Sequence, residues 1–291
     1  MFSTPHSASL LALSMVFAGA RNDTAKQISD ALHIKADGSV HKHFADALSK
    51  VRGCGPEVEL RVANRIALDA SFPVLDSYLD LLKHAYFSSL STVDFANDFE
   101  KARIEINDWV EQATASKIKD LLAEGSVDDT TALVLVNAVY FKGEWKSPFL
   151  REVTEPWDFR VDSSHTTRVE MMYQEEDFRM SRCDDLNVTA LEIPYRGGKA
   201  SMVVLLPDEV GGLRHLEENL SAVKLRELLS NLSMKYDVTL RLPKFKLEHS
   251  IDLEVALKAL GINTMFTENA DLTGVSMAKS FAFRKLCTKH S

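Results

Sequence analysis

Cysteine is scarce in this chain, with three among 291 residues. Cys54, Cys183 and Cys287 stand far apart and match neither a CxxC redox pair nor a zinc pattern. An odd count leaves one thiol unpaired within the monomer. Proline, glycine and serine form no long tracts, so no linker, repeat or low-complexity segment stands out. No apolar run is long and uninterrupted enough to span a bilayer. The formal charge is -8, with Lys and Arg scattered among the acids, and binding along a phosphate backbone therefore has no electrostatic basis. Lys117 and Lys119, two apart around Ile118, read as a solvated helix face. The GxSxG elbow, the HExxH zinc helix, the P-loop and the GxGxxG fingerprint are all missing, which removes the common hydrolase, metalloprotease and nucleotide classes. His41 and His43 flank Lys42, but without a nearby Cys or acidic third ligand they read as solvated. Asp128–Asp129 and Glu175–Glu176 read as solvated turns rather than acid/base pairs. The expectation is no enzyme, no metal, no cofactor, and neither nucleic acid nor membrane as partner.

What is present is an ordinary globular composition, 45% hydrophobic and 26% charged, for which a single domain is the simplest count. Residues 9–20 read as a buried helix. Their apolar stretch ends Ala18-Gly19-Ala20 like a signal peptide, but no Lys or Arg precedes it. Thr24 to Leu32 reads as a second helix. "VELRVANRIAL" alternates as a half-buried strand, with Val58, Leu60 and Val62 on one face. Ala102, Ile106, Trp109, Val110 and Ala113 form the stripe of a helix that Asp98 is placed to cap. "ASMVVLLP" at 200–207 reads as a strand in a covered sheet. "YDVTLRLPKFKLE" is a strand whose apolar parity shifts at Pro243, predicting a bend. Ser250 and Gly261 bracket a last helix. Helices and strands follow one another without βαβ alternation, so the class is α+β. Four sequons, at Asn22, Asn187, Asn219 and Asn231, lean towards a secreted glycoprotein.

One strand poses a sharper question. "VLVNAVYFKGEWKSPF" carries Asn137 in the middle of an apolar run. Buried without partners, that amide would cost about 1–3 kcal/mol, so some neighbour must hydrogen-bond it.

The same stretch resembles the third strand of sheet A in the serpins, conformationally trapping protease inhibitors, with Asn137, Ala138, Tyr140, Phe141, Lys142, Gly143, Trp145 and Phe149 in matching places. "INDWVEQATASKIKDLL" is similar to the helix over that sheet, with Ser116 where glycine is usual. "VEMMYQ", "LEIPYRGGKASMVVLLP", "LPKFKLEHSIDLEVALKALGI" and "MFTENADLTGVS" follow in family order. "PHSASLLALSMVFAGARNDTAKQI" resembles a buried strand end and the next helix, with Asn22 replacing a usual glycine, which makes the signal-like run core. The resemblance covers about 270 residues.

It implies a partial serpin fold, with a large mixed sheet A, sheets B and C and surrounding helices, over residues 1–276. Residues 277–291 form a tail outside the pattern. It also implies an extracellular inhibitor of serine endopeptidases, sometimes cysteine ones. The cut reactive loop would insert between strands 3 and 5 of sheet A, and Ser7 with Asn137 would belong to the polar shutter governing that opening. The sequence departs from the pattern at both ends. The family's preceding helix is not seen, and after "ADLTGVS" comes "MAKSFAFRKLCTKHS" instead of a shutter histidine, an Ala-rich hinge, a reactive bond and the last strands. Arg284-Lys285 would suit a trypsin-like enzyme, but the residues around it are too few both to present a bond and to fill the slot. This truncated form is therefore expected to be non-inhibitory. The alternative is an interaction protein whose open sheet, between strand 3 and "LPKFKLE", accepts a partner's strand or peptide.

Overall fold

A computed structural model describes residues 5–35, 37–52, 58–245, 249–250, 253–277 and 286–290, with the backbone alone at a few positions such as 5–9 and 286–290. Although no linker marks a join, the chain forms two compact units, one of residues 1–53, 59–141 and 247–291 and the other of residues 54–58 and 142–246.

The first unit starts with helices α1 (Pro5–Gly19), α2 (Asn22–Leu32) and α3 (Ser39–Arg52), followed by β1 (Val58–Asp69), α4 (Asp76–Tyr86), β2 (Ser89–Val93), α5 (Phe95–Ala113) and β3 (Leu133–Gly143). The second holds β4 (Glu155–Arg160), β5 (Thr166–Cys183), β6 (Val188–Pro194), β7 (Ser201–Pro207), α6 (Leu213–Asn219), α7 (Ala222–Ser230) and β8 (Ser233–Pro243). The chain then returns to the first unit with β9 (His249–Ser250), α8 (Leu253–Ala259) and β10 (Leu286–His290).

α1 is apolar on every side, and Leu11, Ala12, Leu13, Met15 and Val16 are all buried, as a central helix requires. Its C-terminal end is clamped by the "ADLTGVS" segment. Gly274 N donates to Gly19 O at 3.0 Å and Arg21 N to Asp271 O at 2.9 Å, while Asp271 N donates to Thr24 Oγ1 at 2.9 Å.

α5 begins earlier than its stripe suggests, because Asp94 caps it by accepting from Asn97 N at 3.0 Å. Asp98 interrupts it with φ -145° and ψ 59°, and its Oδ1 caps the continuing part by accepting from Lys101 N at 3.3 Å. The helix ends before Lys117 and Lys119, so these lie in the following turn and not on a helix face; Lys119 pairs with Glu111 at 2.9 Å. The turn itself puts two non-glycine residues in the left-handed region, Ala115 at φ 52° and Ser116 at φ 57°. That conformation costs an L-residue roughly 1–2 kcal/mol. Ser116→Gly is expected to stabilise the protein by about 0.5–1 kcal/mol, read as a raised thermal midpoint. An unchanged or lowered midpoint would show that the serine side chain outweighs the backbone relief.

The first sheet runs β2-β1-β3-β10-β9 and the second β4-β5-β6-β7, with β8 paired to β5. β3 reads as a continuous apolar run because both its faces are covered. Leu133 and Leu135 pack in the cluster of Leu13, Met15 and Tyr86, whereas Val134, Val136 and Ala138 pack with Phe95, Ile106 and Val110 beneath α5. β7 is covered less completely than its sequence suggests. Val203 and Leu205 pack on Leu186 and Val188 under α6 and α7, but Leu206, on the opposite face, is 65% exposed. The "LPKFKLE" run is not one bent strand beside β3. β8 ends at Pro243 in the second sheet, Lys244 and Phe245 are in no strand, residues 246–248 lie outside the described part, and Ser250 falls in β9 of the first sheet.

Candidate functional site at the centre of the first sheet

Asn137 is fully buried on β3. Its Nδ2 donates to Asn64 Oδ1 on the neighbouring β1, and Asn64 Nδ2 donates onward to the Tyr86 backbone carbonyl, the last of α4, at 2.7 Å. At the other end of Tyr86 the hydroxyl lies 2.6 Å from His41 Nδ1 on α3. The His41 ring meets Tyr86 edge-on at 5.8 Å between centroids and Phe17 of α1 at 5.9 Å. Burial lowers the His41 pKa and raises that of the Tyr86 hydroxyl, which favours the neutral form of both. Four residues from four elements therefore share one polar seam through an apolar core.

The seam is not fully satisfied. Asn137 Oδ1 has no hydrogen-bond partner among the described residues. Across the sheet, Thr288 of β10 occupies the register position opposite Asn137, in a parallel pairing from Leu286↔Leu135 to His290↔Val139. β10 in turn pairs antiparallel with β9 through Lys289↔Ser250 and His290↔His249. The place beside β3 is thus held by the chain's own C-terminal strand, and the expected open gap between β3 and "LPKFKLE" is not there. The physical reason is backbone demand: β3 lies inside the sheet, and its amides and carbonyls need a ladder partner on both sides.

The other sequence-predicted residues separate. Ser7 lies in α1 and its side chain is outside the described part. Tyr140 is buried, Phe141 is half-buried, and Lys142 is exposed where β3 leaves the first sheet. Gly143 and Trp145 belong to the second unit. A Cβ on Gly143 would stand 2.6 Å from Tyr195 Cδ1, so glycine there admits the Tyr195 ring, which stacks on Trp145 at 4.6 Å and 10°. Burial pushes the Tyr195 hydroxyl up to about 12. The abrupt change of character after Phe141 therefore marks a strand passing from one core to another.

His41 and His43 are engaged singly, His43 Nδ1 lying 2.8 Å from Ser39 O. Among the described residues no group of three or more His, Cys, Asp or Glu is placed to hold a metal, and no helix is long and apolar enough to cross a membrane. All four sequon asparagines are exposed. Asn22 sits at φ 47° with its amide 2.6 Å from Asp271 Oδ2, Asn187 at φ 46°, and Asn219 donates to His215 O at 2.9 Å.

Sequence reasoning missed Asn64, although it left the same signal as Asn137: it falls on the apolar parity of β1, between Val62 and Ile66. Tyr86 and His41 left none, because the first reads as core and the second as surface.

A serpin (serine protease inhibitor) family model matches residues 1–289. The chain belongs to the serpin family. The match runs into β10, up to Lys289. This serpin is 49% identical over 278 residues to Iris of Ixodes ricinus, covering 96% of the chain and 73% of Iris. It is 42% identical over 294 residues to the leukocyte elastase inhibitor of Bos taurus, covering 99% of the chain and 78% of that protein. Ovalbumin from emu (Dromaius novaehollandiae) superimposes with a TM-score of 0.86 at 36% identity, over 94% of this chain and 74% of that one. The serpin fold and the α+β class follow from these likenesses, and the protein is a member of a protease-inhibitor family rather than an enzyme.

Proposed function

We propose that the protein serves peptidase control as the receiving body of a serpin, opening between β3 and β10 to take up a strand, and that the 291-residue chain does not itself trap a peptidase. The observation that carries this is the direct β3–β10 pairing beside the buried Asn137, which donates to Asn64 on the other side. Serine endopeptidases are the partner class that the name of the bovine relative supports. Trapping needs a free cleavable stretch that can reach across the sheet, and the segment after Ser276 instead supplies β10, a strand of the sheet itself. Incubation with trypsin-, chymotrypsin- and elastase-like enzymes is expected to give cleavage products and no SDS-stable adduct. A covalent complex with any of them would overturn the non-inhibitory part.

A second reading is uptake of a partner's strand at the β3–β10 seam, where Leu135 to Val139 pair with Leu286 to His290 in parallel. An extended peptide pairing along β3 would gain backbone hydrogen bonds over its whole length. Titration with a synthetic hinge-like peptide, followed by native gel shift, tests it, and no shift at high peptide concentration would remove it. An extracellular setting is part of the same proposal, supported by the exposure of Asn22, Asn187, Asn219 and Asn231.

A further inference from the structure

Asn137 is the polar centre of the strand that must part from β10. Its Oδ1 has no partner among the described residues, and its Nδ2 donates to Asn64 Oδ1 on β1. Asn64 is oriented by its own bond to the Tyr86 backbone carbonyl. Amide groups in an apolar core cannot turn freely, because a misdirected donor or acceptor costs about 1–3 kcal/mol. The orientation of Asn64 therefore depends on where the end of α4 sits. That end is pinned by the Tyr86 hydroxyl against His41 Nδ1, and the rings of Phe17 and Phe44 pack on the pair.

We propose that His41, Tyr86 and Asn64 are a positioning relay that ties α3 to Asn137 and sets how readily β3 separates from β10. Tyr86 is its two-ended member, its hydroxyl held by His41 of α3 with Ser14 of α1 beside it, and its carbonyl fixing Asn64. The relay deepens the strand-uptake reading, on which its functional meaning rests. His41 is linked to β3 through Tyr86 and Asn64. Loosening the half-buried outer end would accordingly be felt at the inner end.

The test is amide hydrogen exchange on the full chain, which needs neither a peptidase nor an added strand and so can fail independently of the proposed function. Tyr86→Phe keeps the ring and the backbone carbonyl while removing the hydroxyl. The expected result is exchange at least about fivefold faster at Val136, Asn137 and Ala138 as well as at the end of α4. His41→Ala, at the outer end, gives the same readout should Tyr86→Phe prevent folding. A double-mutant cycle between His41→Ala and Asn137→Ala is expected to be non-additive, whereas sites that share no network add. Faster exchange confined to α3 and α4 with β3 unchanged, or an additive cycle, would overturn the relay.

Discussion

Asp69→Ala is expected to lower the unfolding free energy by about 3–5 kcal/mol, among the largest effects of any single side chain in the first unit. Asp69 ends β1 and is buried. Its Oδ1 accepts from the Ser71 amide at 2.9 Å and from the Ser71 hydroxyl, and its Oδ2 from the amides of Phe95 and Ala96 at 2.9 and 3.1 Å. Those two amides open α5, so the carboxylate also meets the positive end of the helix. Alanine would strand four donors at the junction where β1, β2 and α5 meet. Burial by itself pushes the Asp69 carboxyl up, but the Ser71 hydroxyl and amide, with the Ala96 and Phe95 amides, outweigh it and hold the pKa below its usual value. The sign follows. A depressed carboxylate contributes stability that is present above its unfolded pKa of about 3.9 and lost as pH falls through the lower folded value. Urea unfolding from pH 7 down to 3 is expected to show a wild-type loss in the acid range that is smaller in the Asp69→Ala variant, where other lowered carboxylates such as Asp271 remain. Parallel pH profiles for the two proteins would show that the carboxylate is not the group responsible.

Gly19→Ala is expected to cost about 3 kcal/mol. A Cβ there would lie 2.1 Å from Val275 Cγ2, 3.1 Å from Tyr78 Cε2 and 3.3 Å from the Val275 amide. None of these yields easily. Tyr78 is buried with its hydroxyl donating to Met15 O at 3.1 Å, and Val275 O accepts from Leu75 N at 2.8 Å. The methyl would pry the "ADLTGVS" segment from the end of α1. Gly125→Ala is the control: its Cβ would meet nothing within 4 Å, but its φ is +72°, so only the backbone cost of about 1 kcal/mol is expected. Thermal midpoints of the two variants separate packing from conformation. Equal losses would mean that the Gly19 contact relaxes.

The legible parts of the fold were those in which local pattern and environment agree. α1 is apolar all round because it is central. β3 is apolar on both parities because helices cover one face and α5 the other. Both unusual glycine replacements, Asn22 and Ser116, sit at positive φ, where the absence of glycine is felt. Asn137 announced that it needed a partner, since an amide in such a run cannot be left bare. The illegible parts depended on contacts between distant segments. Tyr86 is 51 positions from Asn137 by number and reads as core, and nothing in "LCTKH" says that it lies along β3.

The amino-acid sequence by itself determined the kinds of elements, the faces they bury, the family and the existence of a polar demand at Asn137, because each follows from periodicity or from the cost of burying one group. Only the tertiary structure decided that Asn64 meets that demand, that Tyr86 and His41 extend it to α3, and that β10 stands beside β3. Hydrogen bonds join whichever donors and acceptors the fold brings within about 3 Å, and that proximity is a property of the assembled chain.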